Sequence, residues 1–125
     1  MILGKSTAAA VATTLVALVA GCGEEAQVAE PYADGAQLFT ERCSGCHTLD
    51  AALARGSKPE SEIEGGERTN GPNFNVRAVS TDDALYAIRN GGFSGAIMPA
   101  NIVVGEDAEA VAEFLNQYSG TSAGE

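Results

Sequence analysis

The sequence predicts a small all-α domain of three main helices joined by loops. Three segments carry helical signals, and the chain contains no run of alternating apolar and polar residues of the kind that marks a strand. The clearest signal is near the C-terminus, where apolar residues recur at positions i, i+3, i+4 and i+7: Val111, Phe114, Leu115 and Tyr118. We expect this helix to run from about Asp107 to Tyr118 and to end at Gly120. With 125 residues, the chain is long enough for one domain.

The two earlier helices are marked by their ends. The first is expected to begin near Ala33 or Asp34, with Asp34 as a candidate N-cap, and to run into the cysteine motif described below. The second should follow Ser80 or Thr81, because either hydroxyl can accept a hydrogen bond from the first helical turn. The glycine pair at 91–92 should stop it.

Residues 49–70 predict a long surface loop within a domain of residues 33–119. Glycine, proline and glutamate dominate most of this stretch, although residues 51–54 could form one helical turn. A loop of this length is uncommon in a small domain. We favour a solvated insertion over an element that binds a partner, and both interpretations remain open.

The N-terminal 21 residues predict a cleaved signal peptide. Lys5 precedes a weakly apolar stretch at 8–20, which is shorter than the roughly 20 residues needed to cross a bilayer. The small residues just before Cys22 resemble a bacterial lipobox, so Cys22 is the predicted lipid attachment site. An ordinary cleavage site or an uncleaved anchor, with Cys22 as a spare thiol, is the alternative. Residues 22–32 then predict a flexible acidic tether, and 120–125 a disordered tail.

One pentapeptide carries the strongest chemical signal: Cys43, Ser44, Gly45, Cys46 and His47. Two cysteines separated by two residues and followed at once by histidine are the attachment signature of a c-type haem. Both thiols form thioether bonds to the porphyrin, and the histidine becomes the proximal iron ligand. The sequence therefore predicts one covalently bound haem c.

Two other uses of a cysteine pair fit the sequence less well. A structural zinc site needs four cysteine or histidine ligands, and the chain has only Cys22 besides this motif and no second histidine. A thioredoxin-like redox pair needs a βαβ pattern around it, which the sequence lacks.

Met98 is the predicted iron ligand opposite His47. Histidine, methionine and lysine can serve as iron ligands. Beyond the signal peptide, the chain has no second histidine, one methionine and one lysine, which is Lys58 in the predicted loop 49–70. Pro99 follows the methionine and can fix the direction of the local backbone. The alternative is that Met98 only fills the core, as most methionines do.

The chain is strongly acidic. Seven basic and seventeen acidic residues give a formal net charge of −10. This charge argues against nucleic acid, whose phosphates need basic side chains. It favours a redox protein partner with a basic docking face, although the charge could also serve solubility alone.

The chain from Asp34 to Tyr118 resembles the class I c-type cytochromes, particularly the short monohaem bacterial kind carried as lipoproteins. The matching residues are Gly35, Phe39, Cys43 to His47, Gly71-Pro72-Asn73, Met98-Pro99 and Phe114. The resemblance implies the class I cytochrome c fold, with helices and loops around one haem.

The resemblance also implies individual contacts. Gly35 and Phe39 should meet the C-terminal helix, Pro72 should offer its carbonyl to the ring N–H of His47, and Met98 should bind iron through sulfur. The stretch between His47 and Pro72 is longer than in compact relatives. The chain also has no tryptophan to hold a haem propionate, a role left open to Arg77, Asn73 or Asn75.

The implied function is electron transfer. With both axial positions filled by protein, iron has no vacant site, which indicates a carrier and not an enzyme, with no small-molecule substrate. We expect a membrane-anchored protein at the outer face of the cytoplasmic membrane or in the periplasm, carrying single electrons between respiratory-chain partners. The alternatives are a fixed haem subunit of a respiratory or dehydrogenase complex, and a haem ligand sensor or peroxidase from whose iron Met98 departs.

Overall fold

The computed structural model describes residues 28–58, 71–93 and 98–121. It contains three α-helices: α1 (Ala33–Arg42), α2 (Thr81–Asn90) and α3 (Glu106–Tyr118). Two short 3₁₀ helices, Glu30–Tyr32 and Asp50–Ala52, accompany them. The predicted signal peptide, Cys22, residues 59–70 and residues 122–125 lie outside the described residues.

The core forms where α1 crosses α3. Gly35 allows the two helices to touch, because an added Cβ there would lie 2.8 Å from Phe114 Cβ and would overlap the Ala110 carbonyl. Phe39 and Phe114 are fully buried and meet edge to face, with ring centroids 5.9 Å apart. The crossing implied by the resemblance is therefore present.

Helix α2 has the ends that its sequence predicts. Ser80 is the N-cap, and its hydroxyl accepts a hydrogen bond from the Asp83 N–H at 3.1 Å. Gly91 ends the helix in the left-handed conformation, with φ of +76°. Ala84 and Ile88 are the buried residues of α2.

The predicted N-cap, Asp34, is wrong, and the last residues of the predicted tether, 22–32, have regular structure. Glu30–Tyr32 is a 3₁₀ helix that leads directly into α1 at Ala33, with Tyr32 as the N-cap residue. The Tyr32 ring packs edge-on against Tyr118, with centroids 5.7 Å apart. The Tyr118 hydroxyl also accepts a hydrogen bond from the Ala29 N–H at 2.9 Å, so α3 orders this segment.

The predicted loop 49–70 begins with regular structure. Strands β1 (Thr48–Leu49) and β2 (Ala54–Arg55) pair antiparallel, with Thr48 opposite Arg55. Leu49 is fully buried. Strands of two residues are too short to show an alternating pattern, which is why the sequence did not reveal them.

The predicted disordered tail, 120–125, is also ordered at its start. The Gly120 N–H donates a hydrogen bond to the Phe74 carbonyl at 2.7 Å. Gly120 has φ of +72°, a conformation that glycine adopts without strain. This bond ties the end of α3 to the 71–75 segment. In the part of the chain that the structure describes, no helix is both long and apolar enough to span a bilayer.

Candidate functional site

The cysteine motif lies at the C-terminal end of α1 and in the turn that follows. The Cys43 N–H continues the helix by donating to the Phe39 carbonyl at 2.8 Å. The N–H groups of Cys46 and His47 both donate to the Cys43 carbonyl, at 3.1 and 3.0 Å. This tight turn brings the two thiols and the imidazole to one cleft. No disulfide joins Cys43 and Cys46.

The His47 ring has a defined hydrogen-bonding direction. Its Nδ1 lies 3.1 Å from the Pro72 carbonyl oxygen. A carbonyl can only accept, so Nδ1 must carry the proton and donate it. The other ring nitrogen, Nε2, then keeps the lone pair that a metal ion requires. The contact implied by the resemblance is present in the structure.

Phe74 fixes the plane of the same ring. The two rings are stacked, with centroids 4.8 Å apart and planes inclined by 13°. Phe74 is itself buried and packs edge to face on Phe39 at 6.1 Å. The sequence prediction assigned Phe74 no role at the site. Its position two residues after Pro72 is the sequence feature that could have indicated a contact with His47.

Glycines allow the chain to close around the motif. A Cβ at Gly71 would lie 2.5 Å from His47 Nδ1 and 2.8 Å from the Cys46 carbonyl oxygen. A Cβ at Gly56 would lie 2.7 Å from the Cys46 nitrogen. Real Cβ atoms do not approach that closely, so a larger residue at either position would displace the motif.

The cleft has a volume of about 240 Å³. Its wall includes the side chains that the sequence nominated, Cys43, Cys46, His47 and Met98, together with Pro72. Most of the remaining lining is apolar, including Phe39, Phe74, Val79, Ala84, Ile88, Ile102, Val111 and Leu115. Charged side chains at its border are Arg42, Arg77 and Asp83.

These residues fit a haem. An apolar wall suits the porphyrin face, and two thiols beside one imidazole match covalent attachment with proximal ligation. The Met98 thioether lines the same cleft and adds a soft sulfur ligand. Within 28–58, 71–93 and 98–121, no cluster of three or more histidine, cysteine or acidic side chains offers a competing metal site.

Burial shapes the protonation of two of these groups. Burial, with a smaller contribution from the neighbouring Cys46, raises the pKa of the Cys43 thiol to about 11. Burial also lowers the pKa of His47, against the opposing effect of its hydrogen bond to the Pro72 carbonyl. His47 is therefore neutral at physiological pH, the form that binds iron.

Arg77 is the one of the three propionate candidates that borders the cleft. The Asn75 amide donates to the Asp50 carboxylate at 2.7 Å and accepts from the Asp50 N–H at 2.8 Å. The Asn73 side chain accepts from the Asn75 N–H at 2.9 Å. Asn75 thus holds the 71–75 segment against the 3₁₀ turn at Asp50, whereas the Asn73 side chain bonds within the segment. Arg42 also borders the cleft, and the sequence had not singled it out.

The chain was compared with known proteins. A family model described as Cytochrome c matches residues 32–119. Among solved structures, the c-type cytochrome SorU from Sinorhizobium meliloti is 33% identical, with a TM-score of 0.54, and the match covers 72% of this chain and 92% of SorU. No curated protein gave a significant match.

Proposed function

Because this chain belongs to the cytochrome c family, we propose that it is a membrane-anchored monohaem c-type cytochrome that carries single electrons between respiratory-chain partners outside the cytoplasmic membrane. The family match and the similarity to SorU support three statements: the chain has the class I cytochrome c fold, holds one covalently bound haem c and is an electron-carrying haem protein. One observation supports the carrier function most, which is that Cys43, Cys46, His47 and Met98 all line the same cleft.

Each of these four side chains has a proposed role. Cys43 and Cys46 form the two thioether bonds, as their fit to the attachment motif indicates. His47 binds iron through Nε2, while Pro72 and Phe74 hold its ring in place. Met98 would hold the iron through its thioether sulfur.

This ligand set suits a carrier. When bound, haem supplies an iron that changes its charge by one electron. The protein contributes an apolar wall that excludes water, and thioether ligation favours the reduced form and raises the potential. Because Pro72 and Phe74 hold the His47 ring, this ligand needs little rearrangement when an electron arrives or leaves.

Met98→Leu tests the ligand assignment. The holoprotein variant should bind carbon monoxide when reduced at neutral pH, whereas the wild type should not. Its midpoint potential should fall by an appreciable part of the roughly 0.8 V range over which axial ligands set haem potentials. Ile102→Leu, another conservative change in the cleft wall, is the matched control and should leave both properties unchanged. If Met98→Leu behaves like this control, Met98 is not a ligand.

The membrane anchor rests on Cys22 and the small residues before it. Two acyl chains on one cysteine give stable attachment, so the proposed location is the outer face of the cytoplasmic membrane or the periplasm. Cys22→Ser should move the protein from the membrane fraction to the soluble fraction in a bacterial host. Gln27→Ser, farther along the predicted tether, should not. Equal membrane retention of both variants would refute lipid attachment at Cys22.

The proposed partners are redox proteins with a basic docking face. A formal net charge of −10 favours association with positively charged surfaces, and such steering weakens as salt is added. Electron transfer to a basic partner should therefore slow as ionic strength rises. A rate that does not respond to salt would contradict the electrostatic part of the proposal.

A further inference from the structure

Two large aromatic side chains are stacked on the surface beside the cleft. The rings of Tyr86 and Phe93 have centroids 5.2 Å apart and planes inclined by 25°. Tyr86, which does not line the cleft, is 53% exposed. Exposed aromatic rings of this size are costly to leave in water and are enriched at protein interfaces.

The local backbone builds this pair. Tyr86 lies on α2 midway between the buried residues Ala84 and Ile88, so helical geometry places it on the opposite face. The chain then reverses through Gly91 and Gly92, with φ of +76° and +85°. The Gly92 N–H donates to the Ala87 carbonyl at 2.8 Å, and the turn returns Phe93 to the outer face of α2.

The pair connects the cleft with the surface. Phe93 is among the described residues that line the cleft, whereas Tyr86 lies outside that lining. The order from inside to outside is thus cleft, Phe93 and Tyr86. A protein that covers Tyr86 comes within one aromatic ring of the site that holds the redox group.

Charges beside the pair indicate what kind of protein fits. Asp82 and Asp83 are exposed and lie four and three residues before Tyr86, which is the spacing of neighbours on one helix face. Arg89 lies one turn after Tyr86, so two acidic side chains and one basic side chain of α2 flank Tyr86. An apolar centre with a mainly acidic border complements an apolar centre with a basic border.

We propose that the Tyr86–Phe93 pair is the docking surface for a redox protein whose own cofactor edge is surrounded by lysine or arginine. This inference rests on the proposed electron-carrier function and names its partner surface. Docking makes and breaks no covalent bond: one electron leaves the reduced protein and enters the oxidised one.

Electron-transfer kinetics test the proposal with two probes. The first is a basic cytochrome c of the mitochondrial kind, and the second is hexaammineruthenium(III), a small cation that needs no apolar docking surface. For the Tyr86→Ala holoprotein at low salt, we expect a rate constant with the protein probe about tenfold lower, the usual effect of truncating an interface hot spot. The rate constant with the ruthenium probe should stay within about twofold of wild type, because small surface contacts contribute little.

Four further variants sharpen the test. Phe93→Leu should also slow the protein probe, and Val104→Ala, which truncates a side chain that is 62% exposed outside the cleft lining, should not. Asp82→Asn should weaken the salt dependence of the rate more than Glu113→Gln, which removes a charge from the exposed face of α3.

Several outcomes would overturn the docking surface. Equal rates for Tyr86→Ala and Val104→Ala with the protein probe would do so, as would equal slowing of both probes by Tyr86→Ala. Formation of a dimer that depends on Tyr86, measured by sedimentation, would show that a second copy covers the pair instead. If the wild type exchanged electrons with neither probe, the electron-carrier function itself would fail.

Discussion

Gly71→Ala should disturb the site by placing a methyl group against the His47 ring. The new Cβ would lie 2.5 Å from His47 Nδ1 and 2.8 Å from the Cys46 carbonyl oxygen, about 1 Å inside normal contact distances. Either the ring or the 71–75 segment must move. Movement of either separates Nδ1 from the Pro72 carbonyl, which are now 3.1 Å apart.

The expected loss of stability follows from these two effects. Overpacking of this kind costs about 1–3 kcal/mol, and a lost hydrogen bond about 0.5–1.5 kcal/mol more. The free energy of unfolding should therefore fall by about 2–4 kcal/mol. For a domain of this size, that corresponds to a drop in Tm of roughly 10–20 °C.

Gly45→Ala is the matched control, because an added Cβ at Gly45 meets nothing within 4 Å. Thermal unfolding of the holoproteins should show a large drop for Gly71→Ala and little change for Gly45→Ala. Paramagnetic NMR of the oxidised proteins should show altered ring signals of the histidine ligand in Gly71→Ala only. If the two variants unfold at the same temperature with unchanged spectra, the close approach of Gly71 to His47 is incorrect.

Three other changes probe the site and the fold. Phe74→Leu removes the ring stacked on His47 and should cost about 1–2 kcal/mol, with a shifted imidazole orientation visible by NMR; unchanged histidine signals would contradict the positioning role. Gly35→Ala gains about 1 kcal/mol of helix propensity but overlaps α3 at a cost of about 2–3 kcal/mol, so urea unfolding should show a net loss of about 1–2 kcal/mol; a neutral result would mean that the helices separate easily. Replacing both Cys43 and Cys46 with alanine prevents covalent attachment and should leave a largely unfolded chain by circular dichroism, because so small a core needs the haem. Full native helicity would contradict this.

The helices were predictable because their signals are local. The Ser80 hydroxyl caps the turn that follows it, and the glycine at 91 ends the same helix through its own conformation. The apolar positions of α3 are spaced by the helical repeat, and Val111, Phe114 and Leu115 are all buried. In each case the deciding residues lie within a few positions of one another.

The errors occurred where a distant contact decides the structure. Tyr118 orders the residues before α1, and Phe74 binds the start of the C-terminal tail through its carbonyl. The hairpin at 48–55 is held partly by Ser57, whose hydroxyl donates to the Gly71 carbonyl at 2.9 Å. Each of these partners is many residues away, so the local sequence gives no sign of it.

The sequence by itself determined the chemistry of this protein. The chain has few cysteine, histidine and methionine residues. The spacing of the motif from Cys43 to His47 requires only one local turn of the backbone. The tertiary structure alone decided how the His47 ring is held and how the Tyr86–Phe93 pair forms. Phe74 stacks on His47 across 27 residues of chain, and Phe93 meets Tyr86 only after the glycine turn reverses the backbone. Residue type and short-range spacing encode reactivity, whereas the orientation of a ring depends on side chains that folding brings together from separate segments.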